Sequence, residues 1–225
     1  MPHPCPAHAG HVTKLASSTN PIPPSANSPA LVSYGSDNML NVWSVHIETK
    51  GNMCLKKQMN ISLELCPTHM ALLYSTLCLA LADNRIVMLN VTSESRMESQ
   101  VLAPFQSLAN FSMLTHQTED EHTDEVASLS CSPHLKLFAS SSKDGWVKIW
   151  SLENQLVSDI YLGPTLTSVC FANPRGDLLV GFQRHIYIVR AEDCLPGVYI
   201  EIARHCLHQD HDEEPMPFDP TLKFW

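Results

Sequence analysis

Glycine is scarce in this sequence, eight in 225 residues, which leaves little material for a loop whose backbone cradles phosphate. Neither Gly-x-x-x-x-Gly-Lys nor Gly-x-Gly-x-x-Gly occurs, and no Gly-x-Ser-x-Gly elbow presents a nucleophilic serine. Charge is sparse as well. Charged residues make up 16%, and 23 acidic against 14 basic side chains give a formal net charge of -9, so the surface is expected to repel a polyphosphate backbone and nucleic acid is not an expected partner. Long hydrophobic runs are missing. The most apolar stretch, Met70 to Ala82, is broken by Ser75 and Thr76 and falls short of the ~20 residues that cross a bilayer, so no membrane association is expected. The opening Met-Pro-His-Pro-Cys-Pro lacks the basic and apolar regions of a secretory signal, which predicts a cytoplasmic protein. Paired cysteine spacing is absent too. The eight cysteines, Cys54, Cys66, Cys78, Cys131 and Cys170 among them, are scattered through apolar runs, as buried free thiols of a reducing compartment would be.

What the sequence does contain is a repeat. From His122 it reads HTDEVASLSCSP, LKLFASSS, KDG and WVKIWSL, three β-prone runs separated by turn signals. The Asp144-Gly145 pair predicts a tight two-residue hairpin, because such turns need positive φ and Asn, Asp and Gly tolerate it best. An earlier copy, ALVSYGSDNMLNVWSV from Ala30, puts Ser33, Asp37 and Trp43 in the places of Ser140, Asp144 and Trp150. Two further copies are degenerate. LCLALADNRIVMLNV from Leu77 keeps Asp83 but has Leu79 and Leu89 at the serine and tryptophan places, and TSVCFANPRGDLLVGFQRHIYIV from Thr167 has Gln183 and Val189 at the turn and tryptophan places. The turn markers stand 46, 61 and 39 residues apart, two of these intervals being close to one propeller blade of ~40 to 45 residues. The long interval holds an insertion, residues 103–121, that ends in Glu119-Asp120-Glu121.

From about Gly10 to Val189 these residues resemble the WD-repeat family. The resemblance implies an all-β fold, a partial β-propeller of about four blades, each of four antiparallel strands. The blades would cover about 11–64, 65–102, 122–162 and 163–192, making residues 1–192 the propeller segment and 193–225 an acidic irregular tail. The family marks a blade with a Gly-His pair before it and a Trp-Asp pair closing its third strand. Here Gly10-His11 and Trp43 serve one copy and His122 and Trp150 another, with Ser44 and Ser151 in place of the closing aspartate. The resemblance also implies a hydrogen-bonded chain within each such blade, through His122, Ser140, Asp144 and Trp150 and through His11, Ser33, Asp37 and Trp43. A buried aspartate and a buried indole N–H each need a partner, and a satisfied polar network pins strand register. In the fourth copy Gly163 takes the histidine place, so no such chain is expected there.

The Asp, His and Ser trio also invites a hydrolase reading, since a serine nucleophile needs a base and the base an orienting carboxylate. Its recurrence beside a tryptophan in two copies fits a structural network instead, because one active site per blade would serve no chemistry. Other clusters hold metal-binding residue types. His205, Cys206, His208, His211 and Asp212 lie in one short acidic run with no second anchoring pair, and His3, Cys5, His8 and His11 are interrupted by Pro2, Pro4 and Pro6. No metal and no cofactor is expected. The segment SSTNPIPPSANSP from Ser17 to Pro29 predicts a surface loop inside the first blade, and it and the acidic insertion are the foremost contact points for other proteins. The function this implies is a protein-interaction scaffold, not an enzyme. Alternatives are a propeller-fold enzyme, a metal-binding domain using the terminal histidines, or a segment without activity of its own. Large ciliary and flagellar proteins carry such degenerate propellers, but these residues do not select that address.

Propellers of this family generally close with about seven blades, which takes ~290 residues. A chain of 225 is therefore expected to be part of a longer protein, a short isoform or an incomplete gene model, and its open sheets to associate when expressed alone.

Overall fold

The computed structural model describes residues 7–18, 31–47, 53–91, 106–107, 113–114 and 116–209. Most of the proline-rich segment and part of the insertion lie outside these. The strands are β1 (Val12–Ser17), β2 (Leu31–Gly35), β3 (Met39–Ile47), β4 (Met53–Ser62), β5 (Pro67–Leu73), β6 (Thr76–Leu81), β7 (Ile86–Asn90), β8 (Gln106–Ser107) and β9 (Met113–Leu114). After them come β10 (Val126–Ser132), β11 (Leu137–Ser142), β12 (Trp146–Ser151), β13 (Leu156–Tyr161), β14 (Leu166–Phe171), β15 (Leu178–Phe182) and β16 (His185–Val189). Two helices follow, α1 (Ala191–Cys194) and α2 (Gly197–Gln209). The strands form four sheets, ordered β1-β2-β3-β4-β8, β5-β6-β7-β9, β10-β11-β12-β13 and β14-β15-β16. Each sheet is one blade of the all-β partial propeller.

The hydrophobic pattern explains why the sheets stand face to face. In β6 all six residues of TLCLAL are buried, a run that suits a strand covered on both faces. Its side chains divide by alternation. Leu77, Leu79 and Leu81 enter a core shared with Val32, Leu40, Val42 and Ile61 of the first sheet, whereas Cys78 and Ala80 enter a core shared with Phe138 and Trp150 of the third. β11 divides in the same way. Phe138 faces the second sheet, while Leu137 and Ala139 meet Leu178 and Val180 of the fourth. The first strands β1, β5, β10 and β14 are neighbours in that order. Each carries a register shift at one equivalent place, between Val12 and Lys14, Pro67 and His69, Val126 and Ser128, and Leu166 and Ser168. A bulge repeated in every blade is a mark of the repeat that single-residue motifs do not carry.

Four expectations need correction. The hairpin loops at Asp37, Asp83 and Asp144 have three residues rather than two. Asn38, Asn84 and Gly145 donate backbone hydrogen bonds to the carbonyls of Gly35, Leu81 and Ser142, and these three residues alone in each loop have positive φ, 58°, 72° and 92°. This is a turn closed by one left-handed residue, so the aspartate needs no unusual backbone and its carboxylate instead accepts the amide two residues on. The second blade does not end at residue 102, because β9 at 113–114 pairs with β7. Its long insertion thus separates the third and fourth strands, the outer edge of β7 being satisfied by a distant segment. Among the described residues the fourth blade has three strands, and its sheet is followed by helices. Lastly, the tail is not irregular throughout. Tyr199, Ile200 and Ala203 recur at helical spacing in α2 and pack with Cys194 and Leu195 on the core between the third and fourth blades.

Truncating Phe138, which is wholly buried between two blades, should cost about 3 to 5 kcal/mol. Val12→Ser, at a residue 45% exposed, should change stability by less than about 0.5 kcal/mol. Urea denaturation of Phe138→Ala and Val12→Ser checks both, and similar losses for the two would contradict the assignment of the inter-blade core.

Candidate functional site

The third blade builds its polar chain from four elements. His122 stands on the segment leading into β10, Ser140 on β11, Asp144 in the β11–β12 loop and Trp150 on β12. His122 Nδ1 lies 3.0 Å from Asp144 Oδ2, His122 Nε2 2.7 Å from Ser140 Oγ, and Trp150 Nε1 donates to Ser140 Oγ over 2.9 Å. Asp144 also accepts the backbone amides of Thr123 and Trp146, each at 3.0 Å. Burial pushes the Asp144 carboxyl up, but those amides and His122 outweigh it and hold the group below its ordinary value. His122 is lowered too, because loss of solvent disfavours its cation more than Asp144 favours it. An ionised Asp144 beside a neutral His122 defines the direction of every hydrogen bond. Nδ1–H donates to the carboxylate, the Ser140 hydroxyl donates to Nε2, and the indole N–H fills the serine's acceptor position.

The first blade repeats this arrangement with a different histidine. His8, not His11, places Nδ1 2.9 Å from Asp37 Oδ1 and Nε2 2.8 Å from Ser33 Oγ, and Trp43 Nε1 donates to Ser33 Oγ over 2.9 Å. Ala9 N donates to Asp37 Oδ2 over 2.9 Å, as Thr123 does to Asp144. Burial raises the Asp37 carboxyl, and the amides of Ala9 and Met39 together with His8 reverse that and hold it low. His11 is exposed, and its backbone amide donates to Ser36 Oγ. The usable signal was distance to the strand. His122 precedes Val126, the first residue of β10, by four positions, and His8 precedes Val12, the first of β1, by four. Gly10 has a separate task. A Cβ there would stand 2.2 Å from Ser36 Oγ, so the residue serves close approach of the entering chain to the turn.

A further member of the network lies opposite the serine and was missed. Asn41 pairs with Ser33 and Lys148 with Ser140 in the strand register. Asn41 Nδ2 donates to the Ala7 carbonyl over 2.7 Å, and Lys148 Nζ donates to the carbonyls of Asp120 at 2.7 Å and Glu121 at 3.2 Å. Lys148 is only 7% exposed, so these carbonyls replace water around a buried ammonium. Its sequence signal was a lysine inside WVKIW. The end of the acidic insertion is consequently anchored: His116 packs edge-on against Trp150 with centroids 4.9 Å apart, and its Nδ1 is 2.9 Å from Asn154 Nδ2. In the second blade Leu79 and Leu89 occupy the serine and tryptophan places, fully buried, and Asp83 pairs with Arg85 at the surface. Val180 and Val189 take those places in the fourth blade.

The site does not offer a reacting centre. Ser140 has no exposed surface and its oxygen is already bonded to both His122 and Trp150. Among the described residues no group of three or more His, Cys, Asp or Glu side chains could hold a metal ion. His8 is engaged in the first network, and His205 is exposed on α2. His3, Cys5, His211 and Asp212 lie outside the described residues, as do the side chains of Cys206 and His208. No helix among the described residues is long and apolar enough to cross a membrane.

Asp144→Ala should destabilise the chain by about 1 to 3 kcal/mol, the cost of stranding His122 and two amides, and His8→Ala should do likewise in the first blade. Asp83→Ala and His11→Ala should cost less, and melting temperatures of the four variants compare them directly. Acid should act on the same groups. His122 and Asp144 both have folded pKa values below their ordinary 6.5 and 3.8, so their stabilising contributions are complete above those values. They are lost as pH falls through each folded value, because the unfolded chain then binds more protons. Stability should fall from about pH 6.5 downward, and His122→Gln, less stable at pH 7.5, should show a shallower fall. His69 and His116, also lowered by burial, add to the slope, and Asp37 and Asp177, held low by their hydrogen bonds, add to it at lower pH. Parallel pH profiles for the two proteins would remove His122 from this role.

A family model described as "WD domain, G-beta repeat" matches residues 114–151, the span from β9 to the end of β12. WD repeat-containing protein 97 of Homo sapiens is 32% identical over 106 residues, which is 46% of this chain and 6% of that protein. The chain thus matches a small part of that relative's length. Among solved structures, the computationally designed Ika4 protein superposes with a TM-score of 0.52 at 17% identity, covering 82% of this chain and 93% of its own, a likeness of fold alone. One blade thus matches the repeat outright and all four sheets carry the same first-strand bulge, which together with the relative supports a WD-repeat β-propeller.

Proposed function

We propose that this chain is a non-catalytic scaffold that binds other proteins. WD repeats generally mediate protein–protein interaction, and one observation about this chain carries the reading further. Its Ser-His-Asp chain, the constellation closest to an active site among the described residues, is sealed: Ser140 has no exposure and Trp150 caps its oxygen. Burial and duplication make the trio a brace between strands, leaving blade surfaces and edges for contacts. A net charge of -9 supports protein partners over nucleic acid. Cys54, Cys66 and Cys170 are exposed, against the expectation of buried thiols, and only Cys78 and Cys194 among the described cysteines are buried; that none of the six is paired supports a reducing, cytoplasmic location.

The test has two arms. Purified chain given activated carboxylic and phosphate esters should show no turnover above buffer, and a rate abolished by Ser140→Ala would overturn the reading. Cross-linking in cells should identify neighbouring proteins, and calorimetry with each purified neighbour should give saturable binding. Neighbours that all fail to bind the purified chain would likewise count against it.

A further inference from the structure

The fourth sheet ends where the other three continue. In those sheets the third strand has an outer partner, β4 beside β3, β9 beside β7 and β13 beside β12. No described strand pairs with the outer edge of β16, because the chain leaves Val189 for α1, which packs toward β13. The edge is apolar. Ile186 is 75% exposed, Ile188 71% and Tyr187 44%. Ile188 stands in register with Leu179 and Ile186 with Gly181, so the two isoleucines share one face, while Tyr187 lies on the other with its ring 5.8 Å from that of Phe182.

Natural edge strands are usually blunted by charges, prolines or bulges within the strand. Here Ile186 to Val189 contains none, and the charges stand at its ends. Arg184 and His185 precede the run and Arg190 follows it, all exposed, and among the described residues neither arginine forms an ion pair. In a chain of net charge -9 this cationic bracket is a local contrast. It also selects against a second copy. Two β16 strands paired antiparallel about Tyr187 would set Arg184 of each opposite Arg190 of the other, like charges facing across the ladder. Carboxylates at both ends of an incoming strand would meet opposite charges instead.

We propose that β16 is a docking edge for an extended segment of another protein, a short run of alternating apolar residues with Asp or Glu at both ends, which adds to the fourth sheet as its outer strand. This rests on the scaffold reading and names the chemistry of one partner. Main-chain hydrogen bonds hold the segment, alternate side chains lie beside Ile186 and Ile188, and the terminal arginines fix its placement.

The probe is a labelled synthetic heptapeptide with a glutamate at each end of a threonine–valine–threonine–valine–threonine core, which sets the valines beside Ile186 and Ile188. A twin carries lysines at the ends, and a third peptide is N-methylated at alternate amides. Measured by anisotropy with the full chain, the glutamate form should bind about tenfold tighter than the lysine form. Arg184→Glu with Arg190→Glu, both at exposed positions, should invert that preference, and N-methylation should abolish binding. Hydrogen exchange of the outward-facing β16 amides, every second one, should be fast in the free chain and slowed by the glutamate peptide, while those bonded to β15 are protected throughout. Equal affinity for the two charge forms, undiminished binding of the methylated peptide, or outward-facing β16 amides already protected in the dilute free chain would overturn the proposal, the last by showing that this chain or a second copy covers the edge. A neighbour from the cross-linking arm that binds the double variant undiminished removes the edge from its interface and leaves the scaffold reading standing.

Discussion

A β-sheet whose middle strand is apolar on both faces cannot be stable by itself, because every second side chain would remain in water whichever face was covered. β6 is a strand of this kind, β11 with its serines is likewise buried on both faces, and each divides its apolar residues between two cores. Blade therefore depends on blade, and the three cores form a series along the chain. The series stops at its ends. Leu15 on the first blade is 64% exposed, and Ile186 and Ile188 on the fourth are 75% and 71% exposed. Apolar faces left in water add nothing to a core, so local stability is expected to be lowest at these exposed positions. α2 offsets part of this loss by packing Tyr199, Ile200 and Ala203 over the core of the last two blades.

Within that frame the blades use two solutions at one position. In the first and third, a serine and a tryptophan join histidine and aspartate in a chain that leaves each polar group paired. In the second and fourth, Leu79 with Leu89 and Val180 with Val189 fill the same places with apolar volume. The polar solution ties the entering segment, the second strand, the loop and the third strand together, so a slip of any one breaks several hydrogen bonds. The apolar solution has no such directional check. Its register rests on the bulge of the first strand and on inter-blade packing, features all four blades retain. Alternation of the two types gives each apolar blade at least one polar-braced neighbour.

This division also explains what was legible in the sequence. The loops that hold Asp37, Asp83 and Asp144, the serine four residues before two of them and the tryptophans could be read, because local turn chemistry and fixed strand spacing determine them. His8 could not be read from its dipeptide. The Gly10-His11 pair lies within the same entering segment, and only the distance to β1 distinguishes the two histidines. β9 was hidden because a two-residue strand reached after a long insertion has no periodicity of its own. α2 was hidden by the charge of the residues that follow it, although Tyr199, Ile200 and Ala203 already held the helical stripe. Asn41 and Lys148 escaped notice since a polar residue in an apolar strand is legible only when its partner carbonyl is known.

The His122, Asp144 and Ser140 arrangement shows how little separates a brace from a catalytic site. The proton order, carboxylate to imidazole to hydroxyl, is the one a serine nucleophile uses. What differs is the fourth member. An indole N–H fills the acceptor position of Ser140 through which an electrophile would have to approach, and complete burial removes the route by which substrate would arrive. Because that indole sits on β12 and also seals the second blade's core, exposing the hydroxyl would open the inter-blade interface. A contact on this framework would consequently be made where chain groups remain unpaired, and among the described residues no strand pairs with the outer edge of β16.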